Sequence, residues 1–431
     1  MTNVLVFPCG SEIGLEIHAA LKYAKGVKLV GLSSLPDHGK YVYRHYVEVE
    51  SYVTDPDFLP QLRQVVAEQQ IDFIFPALDT VIKELGTKTA AELGGATMIG
   101  SGPETSVITR HKSKTYAALQ GVDDGFLPKL FQPGAARKSD LPIFLKPDVG
   151  QGSKGTFLAR TLNEVDRKLQ LHPGLIAVEY LPGAEYTVDC FTDRHRQLRF
   201  VGQRTRDRVR NGISVNSTAV PTEPRVREIA EKINSALQLR GQWFFQLKQD
   251  AHGKLKLMEV APRVAGTMNV YRNRGVNFAL LSLLDAQGID VEILDNGFDI
   301  TVDRALISRH QLGFAYATVY VDFDDTLTLN GAVNAKVIAF LYQARTAGKR
   351  LVLLSRHAKV LADSMAELAI SPELFDEIVM VPEGTPKSAF VSGPDAVFID
   401  DSFAERRDVA FHTGAKVFDV DGVEALLDWR L

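Results

Sequence analysis

Phe144-Leu145-Lys146-Pro147-Asp148-Val149-Gly150-Gln151-Gly152-Ser153-Lys154-Gly155 decides how this chain is read, because an apolar run delivers a lysine and then turns through three glycines. The apolar residues are those of a strand, and the lysine stands at its end. Glycines free the backbone N–H groups that follow, since a side chain would block close approach of the main chain to a ligand. A strand lysine beside such a loop sets ammonium charge and N–H donors around a polyphosphate. The order is not that of the Gly-x4-Gly-Lys-Ser/Thr loop, whose lysine follows its glycines.

Outward from this loop, Val178-Glu179-Tyr180-Leu181-Pro182-Gly183-Ala184-Glu185-Tyr186 reads as an extended hinge carrying two acids. Further on, Phe244-Phe245-Gln246-Leu247-Lys248 and Leu255-Lys256-Leu257-Met258-Glu259-Val260-Ala261-Pro262-Arg263 flank a turn at His252-Gly253. A hairpin there places Gln246 and Glu259 side by side on one face.

This series resembles the ATP-grasp superfamily, of carboxylate-amine ligase or carbamoyl-phosphate-synthase type, over roughly Thr105 to Gly288. The resemblance implies ATP and Mg2+ as cofactors. It implies that Lys112 and Lys146 hold the ATP phosphates under a flap formed by Gly150, Gly152, Ser153 and Gly155. Glu179 and Leu181 fall at the adenine hinge, and Glu185 at a ribose-contacting position. Gln246 and Glu259 correspond to Mg2+ ligands, and Arg263 to the cation that steadies the transferred phosphoryl group. One departure stands out: Ala261 occupies the place of the usual asparagine, so a third metal ligand is missing.

Before this region, residues 1–105 alternate short apolar strands with helices, which indicates a parallel, Rossmann-like α/β unit. The turn Cys9-Gly10-Ser11-Glu12-Ile13-Gly14 presents N–H groups at a helix start, although any tight strand-to-helix turn favours glycine. Arg204, Arg206, Arg208 and Arg210 alternate, and on an extended segment would line one face. That strip suits an anionic substrate or, equally, a strand edge protected by charge.

A second signal lies near the C-terminus, where Val319-Tyr320-Val321-Asp322-Phe323-Asp324-Asp325-Thr326 ends an apolar strand in acids. On an extended segment Asp322 and Asp324 face one volume, tolerable beside a divalent cation. Arg350 to Ser355 is another strand ending in a hydroxyl, Lys387 follows a turn, and Ala396 to Asp401 ends in two more acids. Together these resemble the haloacid-dehalogenase-like (HAD) phosphohydrolases from Thr318 onward, with no room for a cap. The resemblance implies Asp322 as nucleophile and Asp324 as general acid/base, with Ser355 and Lys387 clamping phosphate. Asp322, Asp324, Asp400 and Asp401 then hold Mg2+.

The expected fold class is therefore α/β and α+β: a Rossmann-like unit over 1–105, an ATP-grasp domain over 106–312 and a capless HAD-like parallel-sheet domain over 316–431. At 431 residues the chain exceeds one hydrophobic core. Its net charge of −4 divides into −7 from Asp322 onward and +3 before it, so neither part is basic enough for nucleic acid. Only Cys9 and Cys190 are present, and no apolar run approaches ~18 residues, which implies a cytoplasmic soluble protein with no membrane partner. The expected function is bifunctional: an ATP- and Mg2+-dependent ligase joining a carboxylate to an amine, and a phosphatase acting on a related phosphoester. The alternative is a nucleotide-binding regulatory module of reduced turnover controlling that phosphatase. Oligomeric state stays open, a homodimer included.

Overall fold

The alternation of the first hundred residues forms a parallel sheet in the order β3-β2-β1-β4-β5, from β1 (Thr2–Phe7), β2 (Val27–Ser33), β3 (His45–Glu48), β4 (Phe73–Pro76) and β5 (Thr97–Met98). Helix Glu12–Leu21 follows β1. Ser11 Oγ caps it by accepting from Gly14 N at 3.0 Å, and Ile13, Ile17 and Leu21 put a buried stripe every fourth residue. The computed structural model describes residues 1–150, 152, 154–210 and 212–430, which divide into two units, Met1–Leu306 and Ile307–Leu431. No helix among them is long and apolar enough to cross a membrane.

Three antiparallel sheets complete the first unit. One has the order β6-β9-β7-β8, from β6 (Leu130–Phe131), β7 (Ile143–Pro147), β8 (Phe157–Ala159) and β9 (Leu175–Glu179). After it come β10 (Glu185–Thr192), β11 (Leu198–Thr205), β12 (Arg208–Arg210), β13 (Ile213–Thr218), β14 (Gly241–Gln249), β15 (Leu255–Ala261) and β16 (Thr301–Asp303). Of these, β11-β10-β14-β15 form the second sheet and β12-β13-β16 a small third one. On β14 the pleat sorts side chains by face. Trp243, Phe245 and Leu247 pack with Val226, Ile229, Ala230 and Ile233 of helix Pro224–Ala236. Each such fully buried large aliphatic or aromatic side chain contributes about 1.5–3 kcal/mol. Phe244 and Gln246 turn the other way, and Phe244 joins a core that also draws on Val4, Val6 and Phe75 of the first sheet. That shared core brings the ends of β1 and β4 toward the open face of β14 and β15.

The second unit is a five-stranded parallel sheet in the order β21-β20-β17-β22-β23. Its members are β17 (Thr318–Val321), β20 (Arg350–Ser355), β21 (Glu377–Met380), β22 (Ala396–Ile399) and β23 (Lys416–Phe418), with a hairpin of β18 (Thr328–Leu329) and β19 (Ala332–Val333). Val319 and Val321 enter one core cluster and Tyr320 the other, so both faces of the central strand are covered. The chain as a whole is a mixed α/β fold.

Candidate functional sites

A cavity of ≈ 430 Å³ opens over β14 and β15 in the first unit. It is lined by Lys112, Gly150, Gly152, Gln246, Glu259, Ala261 and Arg263, with Ser11, Glu12, Asp79 and Arg110 from the first sheet and the helices after it. Gln246 and Glu259 are direct cross-strand partners. No hydrogen bond among the described residues engages either side chain, so the carboxylate and the amide face the cavity unspent. Lys112 begins helix Lys112–Gln120 and its Nζ reaches the Gly150 carbonyl at 3.4 Å. Gly152 and Gly155 take positive φ, a conformation that admits glycine readily. Ser153 lies outside the described residues.

Lys146 stands behind the lining, 8 % exposed, donating to Tyr116 Oη at 2.8 Å and to the Met258 carbonyl at 3.2 Å. Burial, and then the charge of Lys112, bring its ammonium down to about 7. Asp148 accepts from Ser113 N at 2.7 Å and pairs with His111 Nδ1 at 3.0 Å, which fixes the start of the Lys112 helix against β7. Burial opposes ionisation of Asp148, but those hydrogen bonds keep its carboxyl below the usual range.

Besides Lys146, four expected cofactor contacts among the described residues fall outside the cavity lining. Gly155 is one. Glu179 Oε1 accepts from Lys129 N at 2.9 Å, Leu181 is buried, and Glu185 is held by Arg206 at 2.6 Å and Lys248 at 3.4 Å. Arg263 does line the cavity but is already engaged. Its Nε and Nη2 clamp Asp79 at 2.5 and 3.0 Å, and Nη1 donates to the Val264 carbonyl at 3.1 Å. Burial works against the Asp79 charge, yet Arg263, with Arg110 and Lys112, holds that carboxyl below its ordinary value. Asp79 was not singled out in the sequence, although it follows the end of β4 closely enough to mark a strand-end site.

The arginine strip does not form. Arg204 is fully buried against Asp189, with Nη1 on Ser217 at 3.1 Å and Thr267 at 2.5 Å. Arg206 lies past the end of β11 and turns to Glu185, while Arg208 and Arg210 are exposed on β12. β11 ends at Thr205 and β12 begins at Arg208, which breaks the extended register that would have aligned them. Nor is the Gly10 turn free for phosphate, because Asp37 occupies it: Gly10 N donates to Asp37 Oδ2 at 3.1 Å. A Cβ at Gly10 would stand 2.1 Å from that carboxylate.

In the second unit, Lys387 Nζ bridges Asp322 Oδ1 at 2.7 Å and Asp400 Oδ2 at 2.6 Å. Asp322, Asp400 and Asp401 each offer an oxygen within 4.8 Å of one another. Burial pushes Asp322 up to about 7 against the pull of Lys387, and it raises Asp400 as well. Asp324 stands apart from this group. The strand ends at Val321, Asp325 takes φ 51°, and Asp324 turns its carboxylate to His357 Nδ1 at 2.9 Å. Ser355 is buried and accepts from His357 N at 3.1 Å.

With the geometry in view, residues 172–303 match the model of a family described as ATP-grasp in the biosynthetic pathway with Ter operon. No curated protein matches the chain in sequence. Solved structures with the same fold include pyruvate carboxylase of Rhizobium etli, at TM-score 0.56 and 17% identity over 69% of this chain. This chain covers 29% of that protein, less than a third of it. N5-carboxyaminoimidazole synthetase of Staphylococcus aureus, complexed with ADP, matches at TM-score 0.54 and 17% identity, over 67% of this chain and 78% of that one. L-amino acid ligase of Bacillus licheniformis matches at 0.52 and 19%, over 66% and 74%. At these identities the likeness concerns fold alone.

These matches overturn the expected fusion with a HAD-like phosphohydrolase. The family model that matches is an ATP-grasp one and stops at residue 303, and the solved structures named cover no more than 69% of this chain. Apart from Lys387, which opens a short helix, the motifs from Thr318 onward are ends of parallel strands, where polar residues are common as the chain leaves its core. A strand-end pattern is therefore too common to carry a family, and the capless HAD-like domain is withdrawn from the fold class. What stands is the match of residues 172–303 to an ATP-grasp family model.

Proposed function

We propose that the Met1–Leu306 unit is an ATP- and Mg2+-dependent ligase that activates a carboxylate as its acyl phosphate and joins it to an amine. The observation that carries this reading is the unspent pair of Gln246 and Glu259, set across one cavity with Lys112 and Gly150. An amide and a carboxylate oxygen side by side suit a hard cation such as Mg2+. Lys112, Lys146 and the N–H groups of the glycine loop would hold the polyphosphate of ATP, and Arg263 would face the oxygens of the transferred group. The substrate carboxylate takes the γ-phosphoryl group, ADP leaves, and the amine then displaces inorganic phosphate as the amide forms. Small-molecule substrates fit the cavity's size, and two buried free cysteines suit a reducing cytoplasm.

A second reading, a nucleotide-binding module without turnover, draws support from the Ala261 methyl in the cavity wall and from the commitment of Arg263 to Asp79. Incubation with MgATP, hydroxylamine and a panel of amino and dicarboxylic acids separates the two. The ligase is expected to release ADP and form a hydroxamate with at least one acid. ATP binding with no ADP from any acid would favour the regulatory module.

For the second unit we infer a divalent-cation site at Asp322, Asp400 and Asp401. Lys387 offsets only part of their charge, and a bound Mg2+ would offset the cost of ionising Asp322 and Asp400 where burial raises them.

A further inference from the structure

Four arginines line the cavity, and three of them are held by the protein itself. Arg204 donates to Asp189, Ser217 and Thr267; Arg206 to Thr187 and Gly212; Arg263 to Asp79 and Val264. Arg110 differs. It ends helix Pro103–Arg110, its side chain is 16% exposed, and no hydrogen bond among the described residues engages its guanidinium. The nearest opposite charge is Asp79 at 4.0 Å, which Arg263 already holds at 2.5 and 3.0 Å. Two guanidiniums thus share one carboxylate, leaving an excess positive charge beside the cavity. The Arg110 guanidinium opens on the cavity with donors that the protein leaves unused, which is where an arriving anion can be held.

We infer that Arg110 binds the carboxylate of the acid substrate, with Asp79 holding Arg110 and Arg263 next to each other. This rests on the ligase reading. A carboxylate accepts two parallel N–H bonds from a guanidinium, a fit that a lysine cannot reproduce. The two cations have different neighbours: Lys112 Nζ donates to the Gly150 carbonyl at 3.4 Å, whereas the guanidinium of Arg110 has Asp79 at 4.0 Å and no hydrogen bond among the described residues. The acid therefore docks at the first-sheet end of the cavity, its carboxylate between Arg110 and Arg263.

The test is phenylglyoxal modification of the full-length protein, mapped to Arg110 by peptide mass spectrometry. It is run with MgADP alone and with MgADP plus each of L-alanine, L-glutamate, succinate, acetate and bicarbonate. Slower labelling of Arg110 with at least one acid, beyond the effect of MgADP, is the expected result. For that acid, Arg110→Lys is expected to raise KM roughly tenfold or more, on the scale of one lost charge-assisted hydrogen bond, while KM for ATP moves less than about twofold. No protection by any acid would overturn the inference, as would full protection by MgADP alone, which would make Arg110 a phosphate contact. Acid protection without ADP or hydroxamate formation would leave Arg110 in place and remove the ligase chemistry instead.

Discussion

At the scale of single residues, Lys146 carries the clearest consequence. Its pKa is brought to about 7 by burial and then by Lys112, well below that of the same lysine in the unfolded chain. Between those two values the unfolded chain binds the extra proton. This lysine's contribution to stability therefore rises with pH from about 7 toward 10, and its penalty is complete below about 7. A polyphosphate nearby favours the ammonium, so nucleotide binding above neutrality must draw in a proton. Titration calorimetry of MgADP at about pH 8.5, in buffers of different ionisation enthalpy, is expected to show uptake approaching one proton. Uptake should vanish near pH 6 and in Lys146→Met, and persistence in that variant would assign the proton to another group. The sequence marked Lys146 through its place at a strand end before glycines. It gave no sign of Arg110 or Asp79, whose importance comes from a contact between residues far apart in the chain.

At the scale of elements, the hairpin of β14 and β15 was legible because it rests on local rules. Period-two alternation and a glycine turn fix which residues stand opposite each other. Gln246 and Glu259 are paired as those rules require. The arginine strip used the same alternation and failed, because Arg206 lies beyond the strand and Arg204 faces a buried aspartate that only the third dimension supplies. Asp324 illustrates the same failure: the strand ends at Val321, so the extended geometry on which its pairing with Asp322 depended stops before either residue. If the hairpin is the metal seat, Glu259→Gln should weaken Mg2+-dependent ADP binding beyond the 10–100-fold that loss of a metal's supporting partners costs. The change should move unfolding free energy by no more than about 0.5 kcal/mol, since Glu259 is half-buried without a hydrogen bond among the described residues. A large loss of stability with unchanged Mg2+ dependence would show a packing role instead.

For the whole molecule, class and order of elements could be read from strand and helix rhythm, but kinship of the last third could not. Short polar strand ends recur on any parallel sheet, whereas the ATP-grasp resemblance joined a lysine strand and its glycine loop to a hairpin about a hundred residues further along. Long-range coupling of that kind is the more specific evidence. The two units nonetheless each present acids beside a lysine, and their cation responses can be separated within the intact chain. Hydrogen exchange with Mg2+ alone is expected to slow amides around Asp322 to Thr326 and Asp400 to Ser402, since a cation bound by Asp322, Asp400 and Asp401 suppresses local opening there. Adding ADP to Mg2+ is expected to slow a second set, Lys112 to Thr115, Lys146 to Gly150 and Gln246 to Lys248, because on the proposed reading those segments, of which Lys112, Gly150 and Gln246 line the cavity, would border the nucleotide. Asp400→Asn should abolish the first response and leave the second. Exchange around Asp322 that ignores Mg2+ in the unaltered protein would reduce that cluster to an internal ion network held by Lys387.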